Sequence, residues 1–346
     1  MRNVVEMARL IEALPKRVVK GTLPETVTGL AYDSRTVSPG NLFVAVPGLK
    51  QDGRRFIQEA LRRGAAVVVT EGEDPLQGSD VGRLLVPSSR QALALVAAAY
   101  FGHPSLELTV VGITGTNGKT TTSYLVDALF REMGVTTGLV GTIQYRVGEK
   151  AFPAGHTTPE APELQDLLAR MAESGTRGVT MEVSSHALAL RRVDGIAFDV
   201  AVFTNLTRDH LDFHVTMEAY RRAKARLFTL LAESPKPHRR AVINIDDPTG
   251  RSMVEGLDLE VMTYGLNSQA DIRPREFISD LNGTRMRVRT PAGDLDLTSP
   301  LIGDHNVINL LAACGVGLAL GMAPQAVARG LASVVAVPGR FERVEA

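Results

Sequence analysis

The sequence predicts an α/β protein with a small N-terminal α/β domain, followed by a doubly wound, mostly parallel sheet domain that carries a β-hairpin appendage. Short apolar runs typical of buried strands alternate with helical stretches along most of the 346 residues. One such run ends in a glycine-rich loop that opens directly into a helix, between residues 109 and 131. Hydrophobic residues make up 44% and charged residues 22% of the chain, a globular composition in a chain too long for one compact domain.

Residues 1–104 are predicted to form the small α/β domain. Strands are expected at 30–33, 42–46, 66–70 and 84–86, and helices at 56–63 and 90–101. A polar cluster, Asp33-Ser34-Arg35, lies at a strand end, and spacing alone favours a capped turn there. His103-Pro104-Ser105 breaks the last helix, so we place the domain boundary near residue 104.

The glycine-rich loop, Gly115-Thr-Asn-Gly-Lys-Thr-Thr121, has the composition of a P-loop that cradles phosphate. Its N–H groups and the start of the following helix favour anions, Lys119 can reach outer phosphates, and the Thr120 hydroxyl can ligate Mg²⁺. The common pattern has a glycine where this chain has Ile113, with Gly112 one residue earlier, so the loop is a variant. We interpret the second domain as P-loop-type and the loop as a nucleotide site.

Residues 105–338 are predicted to form the doubly wound domain around this loop. Helices are expected at 119–133, 162–174, 217–233, 306–320 and 324–333, and strands at 110–113, 136–141, 178–183, 198–203, 241–245 and 261–264. Alternating residues on either side of Asn282-Gly283 predict a hairpin, 272–278 with 284–290. The last helix has proline in its first turn, which favours a helix start at that point.

Candidate functional residues follow the strands of this domain, where ligands of parallel sheets bind. Glu182 ends one strand and is either a Mg²⁺ ligand or a solvated strand terminus. After the next strand, His210 and His214 are one helical turn apart, a spacing that alone is weak evidence for metal. Lys224 lies in a basic helical stretch and by composition is an ordinary surface cation.

Composition excludes several classes of protein. The 38 basic and 38 acidic residues balance, so no basic field exists for nucleic acid or an anionic membrane. Cys314 is the only cysteine, which excludes a disulfide framework and favours a reducing compartment. The first residues lack the apolar block of a signal peptide, and the longest apolar run, 307–322, is interrupted by Asn309. We expect a cytoplasmic protein, without nucleic-acid or membrane partners, and a monomer.

Six motifs follow one another along the chain: Gly115-Thr-Asn-Gly-Lys-Thr-Thr, His156-Thr-Thr-Pro, Met181-Glu-Val-Ser-Ser-His, Phe203-Thr-Asn-Leu-Thr-Arg-Asp-His-Leu-Asp-Phe-His, Ala223-Lys-Ala-Arg-Leu-Phe and Val337-Pro-Gly-Arg-Phe-Glu-Arg-Val. Together they resemble the Mur ligases, most closely those of the MurE type. The resemblance implies an ATP-dependent acid–amino acid ligase of peptidoglycan precursor synthesis. Such enzymes transfer the γ-phosphate to the D-Glu carboxylate of UDP-MurNAc-L-Ala-D-Glu, and the amine of a free diamino acid attacks the acyl phosphate.

The resemblance also implies roles for individual residues. ATP would be held by Gly115, Thr116, Asn117, Gly118, Lys119, Thr120 and Thr121, with Asn306 on the adenine side and Arg340 at the hinge. Mg²⁺ would be bound by Thr120, Glu182, His210 and Lys224. The lysine would be carbamylated, because an ammonium cannot ligate a cation. The catalytic set is then Lys119, Lys224, Glu182 and His210, and the UDP-substrate would contact Ser34, Thr157, Thr158, Ser184 and Arg192.

The resemblance extends to domain roles. Residues 1–104 would bind the UDP-substrate, residues 105–338 would bind ATP, and residues 339–346 would be a hinge to a C-terminal domain that such ligases possess. We expect this chain alone to bind substrate without ligase activity. Two alternatives stay open: another Mur-like or folylpolyglutamate-type ligase, and a non-catalytic UDP-sugar or nucleotide-binding module. The amino acid added, whether meso-diaminopimelate, L-lysine or L-ornithine, is also open.

Overall fold

The computed structural model describes residues 4–48, 51–266 and 269–340. Two compact units make up the chain. The first consists of Met1–Pro104, Glu160–Ala169 and Leu190–Gly195, and the second of Ser105–Pro159, Arg170–Ala189 and Ile196–Ala346. Residues 341–346, most of the expected hinge, lie outside the described residues.

The first unit is built on a five-stranded sheet. Its elements are β1 (Val5–Glu6), α1 (Met7–Glu12), β2 (Val18–Lys20), β3 (Thr26–Val27), β4 (Gly29–Ala31), β5 (Asn41–Val44), α2 (Ile57–Arg62), β6 (Val67–Glu71), β7 (Gly82–Val86) and α3 (Ser89–Tyr100). The strand order is β2-β7-β6-β5-β4, with β4 to β7 parallel and β2 antiparallel at the edge. Strands β1 and β3 form a separate antiparallel pair. The four predicted strands are confirmed as the parallel set.

Both faces of this sheet are buried, as alternate residues of β5 show. Leu42 and Val44 belong to a core cluster with residues of α1 and α3, whereas Phe43 packs in a second cluster with Ile57 and Ala60 of α2. Full burial of each large apolar side chain contributes roughly 1.5–3 kcal/mol. Apolar residues on both faces explain why these strands have continuous hydrophobic sequences.

The second unit follows the linker and contains the glycine-rich loop. Its elements are β8 (Thr109–Thr114), α4 (Lys119–Glu132), β9 (Thr137–Val140), β10 (Gln144–Val147), β11 (Lys150–Pro153), α5 (Ala161–Glu173, whose first part belongs to the first unit), β12 (Gly178–Glu182), α6 (Ser185–Ala189), β13 (Val200–Phe203), α7 (Leu211–His214), α8 (Met217–Ala232), β14 (Arg240–Asn244), β15 (Glu260–Tyr264), β16 (Arg273–Asp280), β17 (Gly283–Arg289), β18 (Leu295–Ser299), α9 (Asp304–Ala319) and α10 (Pro324–Ala332). No helix of the described chain is long and apolar enough to cross a bilayer.

The main sheet of the second unit has eight strands in the order β11-β10-β9-β12-β8-β13-β14-β15. Six of them are parallel, and β10 with β11 adds an antiparallel edge that the sequence did not predict. After β8 the chain leads to β9 on one side, and after the neighbouring β13 it leads to β14 on the other. The carboxyl ends of β8 and β13 therefore form a topological switch point, where ligands bind in such sheets.

The appendage is a three-stranded sheet rather than a hairpin. Strands β16 and β17 form the predicted antiparallel pair, and β18 adds to β17 with Met286 opposite Leu297. Met286, Val288, Leu295 and Leu297 are buried in the same core cluster as α9 and α10. Leu295 and Leu297 alternate with polar residues over only five positions, a signal too short to predict a strand by itself.

Candidate functional site

The glycine-rich loop connects β8 to α4 at the switch point. A Cβ at Gly115 would lie 1.8 Å from the Thr204 hydroxyl oxygen, and one at Gly118 would lie 2.4 Å from Asn309 Oδ1. Gly118 also has a positive φ of 85° directly before α4, a conformation that glycine adopts without steric cost. Both positions require glycine because any side chain would clash with Thr204 or Asn309. Without side chains at these two positions, the loop exposes its backbone at the N-terminal end of α4.

A cavity of about 700 Å³ lies over this loop, within the volume range of ligand sites. Its lining includes Thr116, Asn117, Gly118, Lys119, Thr120 and Thr121 of the loop, with Thr142, Thr157, Glu182, Ser184, Asn205, His210, Asn306, Asn309 and Arg340. Gly115 contributes its carbonyl, which accepts a hydrogen bond from Lys119. The structure therefore brings all the predicted nucleotide residues to one place.

The carboxylate of Glu182 is buried and held at the end of β12. Its Oε2 accepts hydrogen bonds from the hydroxyls of Thr120 (3.1 Å) and Thr142 (3.0 Å), and its Oε1 accepts one from the N–H of Thr142 (2.9 Å). Within the described ranges, no group of three or more histidine, cysteine or acidic side chains forms a metal cage. A hydroxyl beside one carboxylate nevertheless fits Mg²⁺, because that ion takes few protein ligands and completes its shell with water and phosphates.

Lys119 is folded back over its own loop. Its ammonium donates hydrogen bonds to the carbonyls of Gly115 and Thr116, each at 2.9 Å. Burial lowers the pKa of Lys119, while the carboxylates of Glu182 and Asp209 act in the opposite direction. The side chain therefore lies against its own loop, held by two carbonyl acceptors that a phosphate can replace.

The two histidines separated by four residues occupy different environments. His210 precedes α7 and lines the cavity, with its ring 4.9 Å from that of His186. His214 is buried, with Nε2 2.9 Å from the Ser185 hydroxyl and its ring stacked on Tyr220 at 4.9 Å. Burial is the main cause that lowers the pKa of His214 to about 4, so it is neutral at physiological pH. Of these two histidines, His210 is the one that lines the cavity and can meet a ligand there.

Lys224 is not a surface residue, so the interpretation from composition was wrong. The side chain is 1% exposed on α8, and its ammonium lies 4.4 Å from the centre of the Tyr220 ring. Burial, followed by the nearby charge of Lys119, holds the pKa of Lys224 well below its usual value. The Tyr220 hydroxyl in turn lies 3.2 Å from that of Thr116 in the loop. Lys224 thus lies beneath the cavity and not among its lining residues.

The predicted substrate residues are divided between the two units. In the second unit, Thr157 and Ser184 line the cavity, and Thr158 is buried with its hydroxyl donating to the Glu182 carbonyl at 2.8 Å. Ser34 and Arg192 belong to the first unit. The Arg192 guanidinium forms an ion pair with Glu160 at 2.6 Å.

Ser34 lines a separate pocket of about 690 Å³ in the first unit. The predicted capped turn is confirmed, because the Asp33 carboxylate accepts a hydrogen bond from the N–H of Arg35. The Ser34 hydroxyl donates to Glu59 at 3.0 Å. The turn therefore also presents a polar edge to a pocket.

Among the cavity residues that sequence reasoning missed, Thr142 and Asn309 make the contacts that shape the site. Thr142 donates hydrogen bonds to Glu182 from both its N–H and its hydroxyl. It follows β9 at the carboxyl edge of the sheet, and this position was the sequence signal that could have identified it as a site residue. Asn309 donates to Asn306 Oδ1 at 3.1 Å and lies against the loop at Gly118. A buried amide inside an apolar helix needs a polar partner, so Asn309 should have been read as part of the site.

Comparison with known proteins agrees with this geometry. Two family models match the chain, "Mur ligase middle domain" over residues 113–317 and "Mur ligase family, catalytic domain" over residues 26–101. The UDP-N-acetylmuramoyl-L-alanyl-D-glutamate–2,6-diaminopimelate ligase of Solibacter usitatus is 48% identical over 334 residues, 96% of this chain and 67% of that protein. The chain spans about two thirds of the length of the curated relatives it matches.

Solved structures of Mur ligases also resemble this chain. A structure of a UDP-N-acetylmuramoyl-L-alanyl-D-glutamate–2,6-diaminopimelate ligase is 30% identical with a TM-score of 0.86, covering 99% of this chain and 69% of that one. The MurF ligase from Thermotoga maritima in complex with ADP is 27% identical with a TM-score of 0.59, covering 91% of this chain and 68% of that one. Since both family models, the relative and the folds agree, this chain belongs to the Mur ligase family.

Proposed function

We propose that this chain acts in the ATP-dependent ligation of a diamino acid to the D-Glu carboxylate of UDP-MurNAc-L-Ala-D-Glu, through an acyl phosphate, in peptidoglycan precursor synthesis. The name of the Solibacter usitatus relative supports 2,6-diaminopimelate as the amino acid. The observation that carries the proposal is one cavity in which a phosphate loop, a buried carboxylate and the polar residues Thr157 and Ser184 meet.

In the proposed reaction, a carboxylate oxygen of the substrate attacks the γ-phosphorus, and the bond from that phosphorus to the oxygen of ADP breaks. Negative charge spreads over the phosphoryl oxygens as this happens, so preorganised donors lower the barrier. The N–H groups at the start of α4 and the Lys119 side chain would be these donors, because both belong to residues of the cavity lining and α4 begins without a side-chain cap. Mg²⁺ held by Thr120 and Glu182 would supply further charge neutralisation at the phosphates.

Lys224 fits the carbamylation that the family resemblance implies. An amine reacts with CO₂ in its neutral form: the nitrogen lone pair forms a bond to carbon, one C=O π bond breaks with its electrons moving to oxygen, and nitrogen releases a proton to water, which leaves a carbamate anion. Burial favours the neutral amine, and no carboxylate within the described ranges forms an ion pair with Lys224. The proposed carbamate would replace the buried amine over the Tyr220 ring with oxygen donors.

A calorimetric titration tests the proposal. We expect saturable binding of Mg-ADP and of UDP-MurNAc-L-Ala-D-Glu, and we expect Lys119→Met to weaken only nucleotide binding, by about tenfold or more, as loss of a charge-assisted contact should. Lys236→Met is the matched control, since Lys236 pairs with Asp199 away from the cavity lining. Absence of binding of UDP-MurNAc-L-Ala-D-Glu at millimolar concentration would contradict the proposal.

Hydroxylamine separates a ligase from a non-catalytic binding module. If the chain forms an acyl phosphate from ATP and UDP-MurNAc-L-Ala-D-Glu, hydroxylamine traps it as a hydroxamate, and this product excludes a non-catalytic binding module. A folylpolyglutamate-type ligase would instead bind a folate and ignore the UDP-substrate. The family match over residues 26–101 argues against that alternative, because it extends the Mur ligase likeness to the first unit.

A further inference from the structure

A threonine in the turn between β9 and β10 connects two parts of the main cavity. The N–H of Thr142 donates to Glu182 Oε1 at 2.9 Å, and its hydroxyl donates to Oε2 at 3.0 Å. The same hydroxyl oxygen lies 3.0 Å from that of Thr157. Thr142 therefore contacts both the carboxylate expected to bind Mg²⁺ and a residue expected to contact the UDP-substrate.

The turn itself does not explain a threonine at position 142. Its backbone is closed by the N–H of Gly141, which donates to the carbonyl of Gln144 at 3.2 Å. Tight turns favour glycine, asparagine and aspartate rather than a β-branched residue. Within the described part of the chain, the exposed Thr142 hydroxyl bonds to no backbone group. The hydroxyl therefore serves the cavity and not the conformation of the turn.

The backbone beside Thr142 approaches the Glu182 carboxylate closely. A Cβ at Gly141 would lie 2.7 Å from Glu182 Oε1, so a side chain at this position would clash with the carboxylate. Glu182 is 1% exposed, and Thr120 also donates to its Oε2, at 3.1 Å. The protein's own donors thus hold both carboxylate oxygens, which fixes the orientation that Glu182 presents to a cation.

The hydroxyl protons of these hydrogen bonds all point in one direction. An ionised carboxylate only accepts hydrogen bonds, so the single hydroxyl proton of Thr142 is committed to Glu182. The Thr157 hydroxyl must then be the donor in its contact with Thr142. Because Thr157 lines the cavity, it offers oxygen lone pairs there, and these suit an N–H or O–H group of a ligand.

We propose that Thr142 is a positioning residue for both ligands of the cavity: it orients Glu182 toward Mg²⁺, and it orients the Thr157 hydroxyl toward a hydrogen-bond donor of the UDP-substrate. The inference rests on the proposed function, which assigns both ligands to this cavity. The competing role is purely structural, in which Thr142 only ties the turn to the end of β12. A structural role would weaken every ligand of the cavity alike, whereas a positioning role is selective.

Calorimetric titrations of the whole chain with ADP, Mg-ADP and UDP-MurNAc-L-Ala-D-Glu test the proposal. Thr142→Val removes the hydroxyl but keeps the shape and the N–H. We expect it to reduce the ratio of ADP affinities with and without Mg²⁺ by about threefold or more, and to weaken the UDP-substrate by about threefold to tenfold, as loss of a neutral hydrogen bond predicts. Binding of ADP without Mg²⁺ should be unchanged. Thr142→Ser keeps the hydroxyl and should behave like the unmodified chain.

Thr180→Val is the matched control, since it removes a buried β12 hydroxyl that has no hydrogen-bond partner within the described residues. Two double variants test whether Thr142 acts through its neighbours. Thr142→Val should cause little further loss of UDP-substrate affinity when added to Thr157→Val, and little further loss of the Mg²⁺ effect when added to Glu182→Gln. Additive losses would show that Thr142 acts by another route and would overturn the proposal.

The single variants also distinguish this inference from the proposed function. An unchanged Mg²⁺ effect, an unchanged affinity for the UDP-substrate, or equal weakening of all three ligands would overturn the role of Thr142 while leaving the proposed function in place. If the unmodified chain does not bind UDP-MurNAc-L-Ala-D-Glu, the proposed function fails together with this inference. Thermal unfolding checks that the variants fold, and Thr142→Ala carries the comparison if Thr142→Val does not.

Discussion

Replacing Val215 with glycine should stabilise the protein. The residue follows α7 with φ 64° and ψ −45°, and the N–H of Thr216 donates to the carbonyl of His214 at 2.7 Å around it. This is a γ-turn of the rare, strained form. A positive φ is sterically unfavourable for a β-branched residue such as valine. A residue held in such a conformation costs on the order of 1–3 kcal/mol of stability.

The net gain follows from three contributions. Glycine relieves most of the strain, but it raises the conformational entropy of the unfolded chain at a cost of about 0.5–1 kcal/mol. Val215 is 77% exposed, so removing its side chain loses only a few tenths of a kcal/mol of burial. The balance is a stabilisation of roughly 1 kcal/mol, or about 2–4 °C in melting temperature for a domain of this size.

Urea unfolding and differential scanning calorimetry measure this change, with Val215→Ala as the matched control. Alanine removes the β-branch but retains a Cβ, so it should recover less than half of the gain from glycine. If glycine lowers the free energy of unfolding, or if alanine stabilises as much as glycine, the strain at position 215 is not the cause.

Three further predictions concern charged groups. Asp74→Asn should lower the free energy of urea unfolding by about 3 kcal/mol at neutral pH, because buried Arg83 loses its carboxylate partner. Arg83 lowers the pKa of Asp74, so the ion pair stabilises the fold above pH 3.8. The difference in stability between wild type and variant should shrink as the pH falls below 3.8. The pKa of His214 is about 4 in the folded protein and 6.5 in the unfolded chain, so the unfolded chain takes up a proton more readily. The free energy of unfolding should therefore fall as the pH drops from 6.5 to about 4, and His214→Gln should make this dependence on pH weaker. Glu182→Gln should reduce the ratio of ADP affinities measured with and without Mg²⁺, and an unchanged ratio would remove Glu182 from the metal site.

Sequence patterns predicted the long buried elements and failed for the short ones. Strand β13 is apolar throughout and β8 is apolar between its terminal threonines, because helices cover the sheet, and such runs can be recognised. The exposed β2 and the two-residue strands β1 and β3 contain too few positions to show an alternation. Their pairing depends on partners far along the chain, which local patterns do not contain.

The glycines of the site also depend on contacts with distant residues, which local sequence patterns do not contain. Gly112 looked like a loop glycine shifted by one residue, yet it lies inside β8, where a Cβ would come within 2.7 Å of the Phe198 ring and 3.2 Å of Leu227. Its neighbour Ile113 is buried in a core cluster with residues of α4 and α9. Gly112 is therefore required by packing of the strand against α8, and the loop glycines proper are Gly115 and Gly118.

The environment of Lys224 arises from several elements that the sequence separates widely. Tyr220 and Lys224 are four residues apart and so lie on one face of α8, which places the ammonium against the ring. The other contacts of that ring come from distant segments: its hydroxyl meets Thr116 of the loop, and His214 stacks on its face. Because α8 begins directly after the strained turn at Val215, the turn, the phosphate loop and the buried lysine form one connected structure. A change that relaxes the turn can therefore gain stability and still disturb the position of Lys224, which makes Val215→Gly a probe of both.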